Sequence, residues 1–180
     1  MSDIRMVSGK WVEGLFSRSL GTAISGTLSE QLKAAGLHLD RPLASSYPRT
    51  SFVQWLQLAA ADLYPGVEAE AALERLGGRV VEELQSSGGL RGPVLTMAKL
   101  MGPRRTLRQL VDFVQGQSSL KIDVDEKSKY EVHLTLNESD LAPFVAGSLM
   151  RILQAIGAKQ PAVATRVLGG DASQLALTWS

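Results

Sequence analysis

No cysteine occurs among the 180 residues, which excludes disulfide bridges, thiolate metal sites and a cysteine nucleophile, and fits a reducing compartment. Histidine is nearly as scarce. With only His38 and His133 present, a zinc site would have to be completed by carboxylates. Neither sign of charge prevails: 19 Lys+Arg stand against 18 Asp+Glu, a formal net charge of +1, so no overall field gathers DNA, RNA or anionic lipid. Nucleic acid is accordingly not expected as a partner. Long apolar runs are missing too. No stretch approaches the ~18 consecutive apolar residues of a membrane span. Residues 1–18 carry Asp3, Arg5, Lys10, Glu13 and Arg18 where a secretion signal would be continuously apolar. The expectation is a soluble, cytoplasmic protein.

What is present is globular in kind. Hydrophobic residues make up 44% and charged residues 21%, enough apolar surface to offset the entropy of ordering the backbone. No break in the pattern separates two cores, so residues 1–180 read as a single domain, helical over about 11–114 and strand-rich over about 118–180. The expected fold class is α+β, with N-terminal helices packed with a C-terminal ββαββ antiparallel sheet unit.

Trp11, Val12, Leu15, Phe16 and Leu20 recur at three- and four-residue spacing, which predicts a short helix from about residue 11 that Gly21 ends. Thr27 and Glu30 match a capping box for a helix over 28–35, and Gly36 can close it. Residues 37–48 read as irregular chain. The broad stripe of Phe52, Val53, Trp55, Leu56, Ala59, Ala60 and Leu63 marks a central helix over 50–63, stopped by Tyr64-Pro65-Gly66. A further helix starts near Glu68, keeps phase through Gly77-Gly78 with a weak or kinked centre, and ends at Gly88-Gly89. Two more span 92–101 and 103–114, the second with Pro103 in its first turn, where an amide hydrogen is not needed.

Beyond Gly116 the hydrophobic period shortens to that of a strand. Leu120, Ile122 and Val124, then Tyr130, Val132, Leu134 and Leu136, alternate with polar residues, which predicts a hairpin with one wet face and a polar turn at 126–129. Pro143 opens a last helix with Phe144, Val145, Leu149, Ile152, Leu153 and Ile156 on its apolar face and Gly147 small enough for close packing. Strands over 162–168 and 174–179 follow, joined by Gly169-Gly170-Asp171.

This order of short helices, hairpin, Pro-Phe-Val-Ala-Gly helix and closing hairpin ending in Leu-Ala-Leu-Thr-Trp resembles the ligand-binding fold of haem nitric-oxide-binding domains, vinyl-reductase-type domains and TRAPP transport-particle subunits, mainly over residues 92–180. A second set of segments is similar to a lineage-restricted myxobacterial family of unknown function. They are Leu39-Asp40-Arg41-Pro42-Leu43, Tyr47-Pro48, Trp55, Leu63-Tyr64-Pro65-Gly66, Glu70-Ala71-Ala72, Leu76-Gly77 and Gly102-Pro103-Arg104-Arg105. The resemblance implies a binding role. Vinyl-reductase-type relatives hold small apolar molecules, and transport-particle relatives are scaffolds with a fatty-acyl pocket. Haem in such a fold needs an axial histidine on the helix before the hairpin and a Tyr-x-Ser-x-Arg motif; this sequence has neither, so no cofactor is expected.

The residues that carry chemistry are few. His38 stands beside Asp40 without a nucleophile in a recognisable elbow, and His133 alternates onto the wet face of a strand, so neither reads as catalytic or as a metal ligand. Asp40-Arg41 reads as a local structural pair. Arg104 and Arg105 follow Pro103 at a helix start, where two guanidiniums and open amides suit an anion or a partner, or simply solvate the helix. Trp55, Met97, Met101, Leu149 and Leu153 are the candidate lining of an apolar cavity between helices and sheet, with ordinary core packing as the alternative. The glycine pairs lack the strand–Gly–Lys–helix setting of a nucleotide loop.

Two readings follow. The first is a non-enzymatic regulatory or sensory domain that binds a small apolar or acyl-type ligand and couples it to an unknown protein partner. The second is a protein–protein adaptor, in one form a homodimer, with a filled core and an exposed apolar face.

Overall fold

The computed structural model describes residues 5–87 and 93–180, so the predicted helix end at Gly88-Gly89 and the predicted start at Gly92 lie outside the described residues. A short strand, β1 (Met6–Ser8), pairs antiparallel with β2 (Ser46–Pro48) inside the stretch expected to be irregular. Three residues are too few to show a period of two, which is why the pattern misses both. Val7 also bridges Ser118, and the Ser119 amide donates to the Met6 carbonyl at 3.1 Å, so β1 ties two distant parts of the chain together.

After β1, the helical path expected up to Gly21 divides into α1 (Gly9–Glu13) and a wider π-helical turn over Gly14–Ser19. That turn is closed by the Leu20 amide donating to the Leu15 carbonyl at 2.9 Å, and it buries Leu15 and Phe16. Helix α2 (Gly26–Ala34) is capped by Ser25, whose Oγ accepts from the Leu28 amide at 2.9 Å. The capping box at Thr27 and Glu30 is thus displaced: Thr27 already lies within the helix, and Glu30 instead pairs with Lys33 at 3.2 Å. Ser25 also donates to Asp62 on α3 (Arg49–Leu63), which fixes the angle between the two helices.

Helix α4 (Ala69–Ser86) runs through Gly77-Gly78 as one helix, capped by the Glu68 carboxylate on the Glu70 and Ala71 amides at 3.0 and 3.2 Å. The expected weak centre is the point of closest approach to α6 (Ala142–Ala155). A Cβ on Gly77 would collide with the Phe144 carbonyl, and one on Gly147 with the Glu74 carbonyl, so the two helices touch backbone to backbone.

The two helices predicted around Gly102 form one element, α5 (Pro93–Gln117), broken at Gly102 (φ 77°, ψ 171°), a conformation open only to glycine. Strands β3 (Ile122–Ser128) and β4 (Glu131–Leu136) form the first hairpin, and β5 (Ala162–Gly169) and β6 (Ala172–Thr178) the second. Together they make one antiparallel sheet of order β3-β4-β6-β5, with Val132 opposite Leu177 and Leu134 opposite Leu175 on the inner face. The chain is α+β, and its C-terminal part has the ββαββ order. Among the described residues no helix is long and apolar enough to cross a membrane.

The core has two lobes. One gathers Phe16, Leu28, Trp55, Leu56 and Leu76 from the N-terminal helices; the other gathers Leu107, Leu134, Leu153 and Leu175 between α5, α6 and the sheet. Helix α6 belongs to both: Phe144 enters the first lobe, Leu149 the second, and Val145 touches each. Beside this seam Glu138 is wholly buried. Its carboxylate accepts from Arg5 Nη1 at 3.0 Å and contacts Arg49 Nε, while Arg49 Nη1 also reaches Asp140 at 2.7 Å. Burial pushes the Glu138 pKa up from its ordinary value, and the two guanidiniums pull the other way without prevailing.

Gly147→Ala is expected to destabilise the fold by about 1–3 kcal/mol or more through overpacking. Gly14→Ala, where an added Cβ meets nothing within 4 Å, should be near neutral. Urea midpoints of the two variants check the pair; equal midpoints would contradict the close crossing. For Glu138 the sign follows from its raised pKa. The folded state takes up the proton first, so the contribution is fully present below the ordinary 4.5 and is lost as pH rises through the raised value. Unfolding of the protein and of Glu138→Gln across pH should show the wild type gaining on the variant upon acidification. A gain on alkalinisation would mean that the guanidiniums outweigh burial.

Candidate functional site

The break at Gly102 turns the two arms of α5 toward each other. Thr106, at the start of the second arm, donates from Oγ1 to the Ala98 carbonyl at 3.1 Å and holds the first arm across it. Between the arms and the C-terminal half of α6 lies an open groove of about 530 Å³. Its walls are Leu95, Met97 and Met101 from the first arm, Leu110 and Phe113 from the second, and Ile152 and Ile156 from α6. Among the described residues, its polar side chains are Gln85, Thr106 and Gln109. The first arm is poorly covered: Val94 is 56% exposed, Met97 60% and Leu100 79%, with Phe113 opposite at 63%.

A smaller, wholly apolar cavity of about 110 Å³ lies deeper, where Trp11 and Phe52 meet Leu134 of the sheet and Leu149 of α6. Leu110 and Ile152 line both spaces and form the wall between them. The five candidate lining residues are therefore distributed. Met97 and Met101 sit in the groove and Leu149 in the inner cavity. Leu153 is buried in the second lobe of the core. Trp55 belongs to the first lobe, where its Nε1 donates to the Ala35 carbonyl at 3.0 Å and its ring meets Phe16 and Tyr47 edge-on.

On the other side of Gly102 the surface is a cleft of about 840 Å³ in which charged side chains stand among apolar ones such as Tyr130 and Trp179. Lys99, Arg104, Arg105, Arg108, Lys129 and Lys159 line it, and Glu126 is the acidic side chain among them. Arg104 and Arg108, one helical turn apart, both engage Glu126, Arg108 at 2.8 Å. Arg104 and Arg105 thus share one cleft, the first paired and the second exposed. Met101 and Ile156 line groove and cleft alike, so the two adjoin along these side chains.

Several lining residues escaped the sequence reading. Phe113 was legible, since it is a large apolar residue out of phase with Leu107, Leu110 and Val114. Arg108 follows Arg104 by four positions, which places both on one helical face. Lys159 carries no sequence signal, because only the fold brings it beside α5. His38 lies in the loop after α2, outside both the groove and the cleft, and Asp40 pairs with Lys33 at 3.5 Å. His133 points away from the inner face of β4 and meets Glu131 at 2.7 Å. Among the described residues no three of His, Asp and Glu converge as a metal site.

The profile of a family described as a protein of unknown function, DUF2378, matches residues 5–180. No curated protein matches the chain. Among solved structures, it is similar to an Fe(II) unliganded H-NOX point mutant from K. algicida, with 14% identity over 94% of each chain and a TM-score of 0.64. It is similar also to a T. tengcongensis H-NOX point mutant, with 12% identity, 96% of this chain, 97% of that one and a TM-score of 0.62. A third is an oxygen-binding H-NOX domain related to soluble guanylate cyclases, in its oxygen complex, with 12% identity, 96% and 95% coverage and a TM-score of 0.62. At such identity the likeness is one of fold: the chain is H-NOX-like in architecture. The haem of that fold family does not fit the residues here. Among the described residues, neither the groove nor the inner cavity is lined by histidine, tyrosine or a basic side chain, so none of them matches the axial nitrogen or the propionate partners that haem takes.

The first arm depends on the glycine conformation. Gly102→Ala forces a side chain into positive φ at a cost of about 1–3 kcal/mol, and is expected to raise hydrogen exchange in residues 93–101 at least about tenfold. Amides of β4 should be unchanged. Equal protection of the arm in both proteins would show that the break does not hold it.

Proposed function

We propose a sensory or regulatory role from one premise: the chain belongs to the DUF2378 family of proteins of unknown function and has an H-NOX-like fold. In this reading it works as a single cytoplasmic domain without catalysis of its own. It takes a small apolar or acyl-type ligand and passes occupancy on to a protein partner. The groove supports the reading. Its volume of about 530 Å³ falls within the range of ~300–1,000 Å³ usual for small-molecule sites. Met97 and Met101 give it walls that adapt to different shapes. Among the described residues its polar side chains are two amides and a hydroxyl, none of them a general acid or base. The similar oxygen-binding H-NOX domain is a ligand-binding protein of the same fold, which favours the same kind of use here.

A specific observation also favours the adaptor reading: Val94, Met97 and Leu100 present an apolar face to solvent on one arm. The two readings separate experimentally. Ala155 lines the groove, and Ala155→Trp fills it while leaving Leu100 in place. The neutral fluorophore N-phenylnaphthylamine is expected to bind the wild type and to lose at least about tenfold in affinity to Ala155→Trp, a difference of about 1.4 kcal/mol. Equal binding to both, together with a dimer that Leu100→Asp dissociates in sedimentation, would move the assignment to the adaptor.

A further inference from the structure

The groove and the cleft differ in chemistry and adjoin at Met101 and Ile156, which line both. Among the described residues, six basic side chains line the cleft against one acidic one. A nearly neutral protein thus concentrates positive charge in one place, and that place adjoins its main apolar groove. Glu126 engages only Arg104 and Arg108. Lys99, Arg105 and Lys159 have no ion-pair partner among the described residues, and all three are exposed. The junction is formed by Met101 and Ile156, apolar side chains that face both ways.

We infer that the site takes a single-chain anionic amphiphile, its hydrocarbon tail in the apolar groove and its carboxylate or phosphate oxygens in the basic cleft beyond Gly102. This rests on the reading of the groove as an apolar ligand site and adds the head group. The unpaired cations and the apolar groove together select such a ligand. A wholly apolar molecule would leave the unpaired cations idle, and a small free anion would leave the groove empty. A dissolved monomer is the occupant. The tail space is a walled groove between two arms and a third helix, which suits one chain rather than the plane of a bilayer. Arg105 presents a planar fork of donors, the shape that carboxylate and phosphate oxygens accept in pairs. The exposed cations are screened individually, so their attraction depends on acting together and weakens with salt.

Titration calorimetry of the intact protein tests this with dodecanoate, dodecyl phosphate and dodecanol, each kept monomeric. At least one of the two anions is expected to bind about tenfold or more tighter than the alcohol, equivalent to about 1.4 kcal/mol. That advantage should shrink as salt is raised. Arg105→Glu combined with Lys159→Glu should abolish the advantage while retaining dodecanol and N-phenylnaphthylamine binding, which shows that the groove is intact. Ala155→Trp should lose all three amphiphiles. Equal binding of anions and alcohol would overturn the head-group assignment and leave the apolar site standing. Failure of every probe, N-phenylnaphthylamine included, would sink the apolar site and this inference with it. Binding of inorganic phosphate as tight as dodecyl phosphate, or binding only to anionic vesicles and never to monomers, would each refute the amphiphile.

Discussion

The contact on which the structure depends is the crossing of α4 and α6, where Gly77 and Gly147 remove the side chains that would hold the helices apart. Backbone meets backbone at Phe144 and Glu74, so α6 is pulled deep between the two lobes of the core. Dispersion and burial then work on both of its sides, with Phe144 in one lobe and Leu149 and Leu153 in the other. A bulkier pair at that point would separate the lobes. The seam is locked a second time by Glu138, whose buried carboxylate joins Arg5 and Arg49. Such a group is costly to bury, and the two guanidiniums offset part of that cost.

The depth of α6 also shapes the surface. While Leu149 and Leu153 are turned into the second lobe, Ile152 and Ala155 of its C-terminal half and Ile156 just beyond it also form a floor for α5. The broken α5 then bends over that floor at Gly102 and divides the surface by chemistry: apolar residues to one side, arginines and lysines to the other. One glycine thus decides where an apolar wall ends and a charged one begins. In this H-NOX-like fold the described basic groups lie beside the apolar groove, not within it.

Much of the fold was legible. The C-terminal hairpins showed in the alternation of Val132, Leu134 and Leu136 with His133 and Thr135, because one face of that sheet is buried and the other is wet. Gly102 and Pro103 together announced the break in α5, and Gly147 its close neighbour. What was hidden is what depends on distant partners. Ser25 rather than Thr27 caps α2, since Asp62 on another helix holds it there. Gly77-Gly78 looked like a flaw because the α6 backbone that fits against it is some seventy residues away in the chain. In the site, Met97 and Met101 were readable as adaptable walls, whereas Trp55 is indistinguishable in sequence from a pocket tryptophan. Only its bond to the Ala35 carbonyl and its two aromatic neighbours place it in the core.

The anchorage of β1 has a consequence for how the chain is made. Arg5 finds its partners at Asn137 and Glu138, 132 and 133 positions downstream, and Val7 meets Ser118. A ribosome adding about 5–20 residues per second exposes the early strand for several seconds before those partners exist. In that interval the N-terminal helices can bury Phe16, Leu28 and Trp55 and the strand can pair with β2, but its ties to Ser118, Asn137 and Glu138 must wait. The early strand is thus fastened in two stages, and closing that long loop belongs to the late, slow part of folding.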